Sequence, residues 1–316
     1  MKKILQIMLL CLLITILLPY LIVRFFPRKK EILPEPLTTI SVYIAAEDRI
    51  LEMDTGQYLK EVVSAEMPAQ FHPEALKAQA VAARTYLTNR VNVARSTQPP
   101  AEHKGADICT NPTHCKAWIC EADRKALWQE DKRDEYWKKI SDAVDETAGV
   151  LITYENQPIS AVFHSTSSGF TENAKDVWGG DVPYLVSVES KGEELSPRYR
   201  SERVLTEAEF KQIAEQTLNA PDWSKGLFSD IVRSDAGGIL SISLGGIPVK
   251  GTDFRTMFEL RSTNVTPVFE NGTVTLSVTG FGHGVGMSQY GANYLASQGM
   301  GYVDILKTYY TGVCVG

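Results

Sequence analysis

The sequence predicts an α+β domain of mixed helices and short antiparallel strands behind a single N-terminal transmembrane helix. Three observations carry that expectation: an apolar run at the N-terminus, helical apolar spacing between residues 57 and 147, and short β-branched runs bounded by glycine, asparagine or proline after residue 149. Strands that follow helices instead of alternating with them favour α+β over βαβ repetition.

Ile4 to Val23 is apolar except for Gln6, Thr15, Pro19 and Tyr20, and about 20 such residues span a bilayer. Residues 20–27 read Tyr-Leu-Ile-Val-Arg-Phe-Phe-Pro, with none of the small residues a signal-peptide cleavage site needs. An uncleaved anchor is therefore expected over residues 1–26, followed by a proline-containing stalk over 27–37 and a folded domain over 38–316. Lys2 and Lys3 face Arg24, Arg28, Lys29 and Lys30 across the segment, so the positive-inside rule by itself places the bulk of the chain inside.

Of 32 basic residues, six lie within residues 1–30, which hold no acid; the remainder carries 26 basic and 38 acidic side chains, a net charge of −12. Such a domain repels nucleic acid overall, so no nucleic-acid partner is expected.

Ile40, Val42 and Ile44 alternate with Ser41 and Tyr43 ahead of Arg49 to Met53, which predicts a strand pair. Asp54 or Thr55 can cap a helix from about Gln57 to Ala65, which Pro68 ends. Glu66 thus stands at its C-terminal edge. Pro73 and Glu74 suit the first turn of a second helix reaching about Val93, with the stripe Leu76, Ala80, Ala83, Leu87, Val91 on one face. Residues 96–120 read as a loop rich in Cys and His, and Asp123 to Thr147 as one or two surface helices. Strands are expected at Gly149 to Tyr154, Ile159 to His164, Leu240 to Leu244, Met257 to Arg261 and Thr273 to Val278, then helices at Ser288 to Ser297 and Val303 to Tyr310.

Glu66 is the candidate acid. A glutamate beside apolar neighbours keeps its proton near neutral pH and can serve as a general acid. Glycosidases usually pair two carboxylates, but a single acid/base suffices when the substrate supplies the attacking hydroxyl, as in cleavage of a muramyl glycoside by its own C6 hydroxyl. Glu61 and Glu74 flank Glu66 without an assignable role, and a solvated helix-end glutamate is the plain alternative.

Glycines 280, 282, 284, 286 and 291 around His283 fit neither the dinucleotide fingerprint nor a phosphate loop. They make a tight turn before a helix start bearing Ser288 and Gln289, which suits a neutral hydrogen-bonding ligand such as a sugar. His164-Ser165-Thr166-Ser167-Ser168-Gly169 lacks a nucleophile elbow; its hydroxyls are better employed lining a sugar groove, with Trp178 and Tyr184 as stacking surfaces. His103, Cys109, His114 and Cys115 offer two thiolates and two imidazoles, a closed tetrahedral set typical of structural zinc. A disulfide among Cys109, Cys115, Cys120 and Cys314, or free thiols, are the competing readings.

The runs Tyr58 to Pro68, Ala78-Gln79-Ala80-Val81-Ala82-Ala83-Arg84-Thr85-Tyr86, Phe163 to Thr166, Pro183-Tyr184-Leu185 and Gly282 to Gly291 strongly resemble the stage II sporulation protein D family, in its order, from about residue 38 onward. The resemblance implies a membrane-anchored lytic transglycosylase that cuts peptidoglycan strands lacking stem peptides during forespore engulfment, beside a cell-wall amidase and an integral membrane partner. It implies that Glu66 is the acid/base, that Arg84 holds the lactyl carboxylate of a denuded strand, and that the His/Cys cluster is the zinc-binding insertion of some members. It also implies a domain outside the mother-cell membrane, against the charge rule. Substrate contacts are expected from Arg84, His164, Ser165, Tyr184, His283 and Gln289. Related amidase-enhancer proteins share the domain, so a non-catalytic amidase-binding module is the rival reading. A zinc hydrolase is a weaker third.

Overall fold

Asp54 decides where the first helix begins. Strands β1 (Thr39–Ile44) and β2 (Arg49–Asp54) pair antiparallel, and the Asp54 carboxylate accepts the Gln57 N–H at 2.9 Å, capping α1 (Thr55–Glu66). These come from a computed structural model that describes residues 37–97 and 99–316. The membrane segment expected over 1–26, and the stalk up to residue 36, lie outside the described residues. Among the described residues no helix is long and apolar enough to cross a membrane.

Helix α1 ends as expected: Met67 N–H bonds the Val63 carbonyl, and Pro68 cannot continue the ladder. Glu66 is its last residue. Helix α2 (Pro73–Ser96) opens with Pro73 in its first turn, while the His72 ring accepts the Glu74 N–H. Its expected stripe is buried, and so are Ala75, Ala78, Gln79 and Ala82. Small side chains on several faces let α1 and later helices close around it, making it the axis of the fold.

The remaining elements are β3 (Ile108–Cys109), α3 (Glu121–Ala126), α4 (Arg133–Asp145), β4 (Ile152–Tyr154), β5 (Gln157–Pro158), β6 (Phe163–His164), α5 (Ala174–Trp178), β7 (Arg200–Thr206), α6 (Glu207–Glu215), β8 (Phe228–Arg233), β9 (Ile239–Leu244), β10 (Ile247–Lys250), α7 (Gly251–Met257), β11 (Val265–Glu270), β12 (Thr273–Thr279), β13 (Met287–Ser288), α8 (Gln289–Ser297), α9 (Tyr302–Tyr309) and β14 (Cys314–Val315). The class is α+β, but two pairings are parallel: β1 with β3, and β6 with β13. The second sets Phe163 and His164 beside Met287 and Ser288.

Two apolar cores result. One gathers β1, α1, α2 and α4 with the segments around β6, α8 and α9. The other lies wholly within residues 205–278, where Phe210, Phe254 and Phe258 fill the space under the sheets β10-β9-β8 and β11-β12-β7. The strand expected at Met257 to Arg261 is absent; Phe258 and Leu260 instead close the end of α7, with the Leu260 N–H on the Arg255 carbonyl. Their hydrophobicity reflects burial of Phe254 and Phe258 on one helical face, not a pleat.

Candidate active site

Because α1 stops at Glu66, that side chain leaves the helix where the 103–117 loop passes over it. The Ala117 N–H donates to Glu66 Oε1 at 3.0 Å, and the Gln289 amide, first residue of α8, reaches the same carboxylate. Lys116 supplies the nearby positive charge. The residue is only 9% exposed, and its ammonium lies 3.7 Å from the Phe163 ring centroid and 4.6 Å from that of Tyr86, cation–π contacts in a site shielded from water.

Burial pushes the Glu66 carboxyl above its usual range, while Lys116, the Ala117 N–H and Gln289 pull it down without cancelling the rise. Burial likewise pushes Lys116 down to about 8, with Glu66 and Cys115 opposing. Among the described residues no second carboxylate acts on Glu66. Glu61 is occupied by the Trp118 indole N–H, the Glu121 N–H and Gln57. Glu74 is held by Lys77 and the Tyr302 N–H.

His164 donates from Nδ1 to the Val285 carbonyl at 3.1 Å, and burial pushes its imidazole down to about 4. It is therefore neutral, with Nε2 as an acceptor. That nitrogen, the Gln79 Nε2 and the Tyr58 hydroxyl are buried and lack a hydrogen-bond partner among the described residues, the state expected of groups that await a polar ligand or water. Gln289 bridges two of these neighbourhoods, since its amide also donates to Gln79 at 3.4 Å. His283 stands 5.7 Å from the His164 ring and 5.1 Å from the half-exposed Trp178, and burial holds it neutral as well.

The glycine turn is what lets these rings meet. At Gly282 a Cβ would fall 2.7 Å from the His164 Cβ, and at Gly286 only 2.2 Å from the Val162 carbonyl oxygen, both at positive φ. Below the turn, Glu193 is 1% exposed. Its carboxylate accepts from the Ser167 N–H, the Ser167 and Ser190 hydroxyls, and the Ser288 hydroxyl that caps α8. It fixes the start of the helix that carries Gln289.

Two expected contacts sit elsewhere. Arg84 does not face the Glu66 group: its guanidinium donates to the Thr147 carbonyl at 2.7 Å and the Val144 carbonyl at 2.8 Å, satisfying the orphan carbonyls at the end of α4. It lies off the apolar stripe of α2, but the neighbouring helix covers it. Tyr184 packs on Tyr154 with ring centroids 5.5 Å apart and accepts the Ser160 N–H. Ser165 contributes its carbonyl to the Tyr290 N–H and the Ser288 hydroxyl. Lys116, Gln79 and Glu193 were not anticipated. Only Lys116 carried a signal, its place directly after Cys115 in the cysteine-rich loop.

The four cluster residues do converge. His103 Nε2 is 3.2 Å from Cys115 Sγ, and His114 Nδ1 is 3.5 Å from both sulfurs; all four ligand atoms lie within 4.8 Å of one another. Cys109, Cys115, Cys120 and Cys314 are free thiols rather than disulfides. Two sulfurs and two ring nitrogens gathered this closely are the donor types structural zinc takes.

The family model described as "Stage II sporulation protein" matches residues 44–154. Stage II sporulation protein D of Bacillus amyloliquefaciens is 39% identical over 281 residues, covering 89% of this chain and 79% of that protein. Its counterpart in Bacillus subtilis (strain 168) is 38% identical over 282 residues, covering 89% and 80%. The Amidase enhancer of Bacillus subtilis (strain 168) is 26% identical over 308 residues, covering 80% of this chain and 39% of the enhancer. Identity of this depth across most of the length of both proteins places the chain in the stage II sporulation protein D family.

Proposed function

We propose that this chain is a membrane-anchored lytic transglycosylase acting on denuded peptidoglycan strands during forespore engulfment. The observation that carries the reading is Glu66: a carboxyl raised by burial, held by an N–H and an amide in the field of one cation, with no second carboxylate acting on it among the described residues. In the first step its proton passes to the glycosidic oxygen as the bond to the muramyl C1 breaks. The resulting carboxylate then takes the proton of the muramyl C6 hydroxyl as that oxygen bonds C1, closing a 1,6-anhydro ring and restoring the acid. No water is consumed. Lys116 steadies the carboxylate between the two steps, and the neutral His164 and His283 with Gln289 offer hydrogen bonds to the sugar.

We assign His103, Cys109, His114 and Cys115 to a structural zinc. When bound, the ion would cross-link the loop, and that loop delivers Lys116 and the Ala117 N–H to Glu66. The domain is assigned to the outer face of the mother-cell membrane, beside a cell-wall amidase and an integral membrane partner.

Glu66→Gln tests the chemistry. Anhydromuramyl ends measured by mass spectrometry on denuded strands are expected to fall by about 10²- to 10⁴-fold, the usual weight of a general acid/base. Undiminished product from the variant would end the proposal. The similarity to the Amidase enhancer favours one second reading, a binding module. In that case wild type yields no anhydro ends, and both proteins stimulate the amidase equally.

A further inference from the structure

Arg84 is spent on the end of α4, so the carboxylate of a denuded strand must meet another cation. Arg198 and Arg261 lie against one ring, that of Phe281, with their guanidinium carbons 5.5 and 5.7 Å from its centroid. Neither has a carboxylate within ion-pair distance among the described residues. Many cations of this acidic domain are by contrast paired, as Lys60, Lys77, Arg95 and Arg203 are. A ring holds a guanidinium in place while leaving its N–H edge open to an oxyanion.

The stems are anchored to the glycine turn. The Gly280 N–H bonds the Tyr199 carbonyl and the Gly282 N–H the Arg261 carbonyl, while Phe281 and Thr166 exchange both backbone bonds. Thr166 is three residues beyond Phe163, whose ring carries Lys116; extended chain of that length spans roughly 10 Å. Arg255 adds a third charge near His164 and His283, its Nε held by the Leu260 carbonyl.

We infer that Arg198 and Arg261, set on Phe281, form a carboxylate-binding subsite that reads the lactyl group of a muramyl residue neighbouring the cleaved one. This rests on the glycan-strand reading above. A stem peptide turns that carboxylate into a neutral amide, so the subsite selects strands from which peptides have been removed. Arg–carboxylate pairing is bidentate and planar, hence specific for the acid.

The test is binding, not cleavage. Full-length Glu66→Gln protein is titrated with denuded strands and with the same strands whose lactyl carboxylates have been converted to methylamides. Carboxylate strands are expected to bind about 10- to 100-fold more tightly, the weight of a charge-assisted hydrogen bond. Adding Arg198→Gln and Arg261→Gln is expected to abolish the preference, and lysine at both positions to restore part of it. Arg198 is exposed and its recorded hydrogen bond is through its backbone N–H, so Arg198→Glu alone keeps the test readable if the double change lowers the melting point. Equal binding of both strands, or a preference that survives the arginine changes, overturns the inference. A charge preference that follows the arginines, found while the protein with Glu66 intact makes no anhydro ends, leaves the subsite standing and removes the transglycosylase.

Discussion

Truncating Glu193 to alanine strips one acceptor from four donors at once. The Ser167 N–H cannot turn elsewhere, and a buried orphan of that kind costs about 1–3 kcal/mol. The three hydroxyls have partial alternatives: Ser190 already meets the Tyr309 hydroxyl at 2.7 Å, and Ser288 can lean on the Ser165 carbonyl at 3.4 Å. Allowing about 0.5–1 kcal/mol for each weakened hydroxyl, the loss is about 3–5 kcal/mol. At about 2–4 °C per kcal/mol for a domain of this size, the melting point should fall by about 6–20 °C. Glu193→Gln behaves differently. Its oxygen can stay on the Ser167 N–H and the Ser288 hydroxyl while its amide donates to the Ser167 and Ser190 hydroxyls, which rotate to accept, so about 1–2 kcal/mol is lost. Calorimetry on wild type and both variants reads this directly. If alanine melts with wild type, or glutamine is as damaging as alanine, the network does not hold the turn to α8.

Lys116→Met removes the cation that pulls Glu66 down, so the alkaline limb of kcat/KM, set by the protonated acid, should move to higher pH; an unmoved limb would show that the charge does not reach the carboxyl. The same variant changes the pH dependence of stability. Lys116 titrates near 8 in the fold against 10.5 ordinarily, so the unfolded chain binds more protons between those values. Wild type therefore gains stability, about 3 kcal/mol in all, as pH rises through that window, and Lys116→Met should lack the gain in unfolding titrations at pH 7 and 10. Chelation is expected to lower the melting temperature while protein kept well below it continues to cleave; lost turnover with unchanged melting would point to catalytic zinc instead.

The sequence carried the local signals. Asp54, Pro68 and Pro73 bracket the first two helices through chemistry within a few residues, and α1, α2, α8 and α9 lie within three residues of their expected bounds. The glycine turn was legible for the same reason, because positive φ leaves few residue types to choose from. Strands β7, β8, β10 and β11 were not, since they sit half-exposed in an all-antiparallel pair of sheets and their outward faces are polar or mixed.

By itself the chain order determined the family, the helix end that presents Glu66, and the ligand types that gather at His103, Cys109, His114 and Cys115. Tertiary structure decided which charges share a space. Arg84 is expected at a substrate, yet α4 packs over it and claims its donors; Glu193 carries no signal in the sequence, yet Ser167 and Ser288 from distant segments join the nearby Ser190 in enclosing it. Capping and turn geometry act over a handful of residues and are written in sequence. Burial of a charge depends on which remote elements close over it, and that is settled only when the two cores have packed.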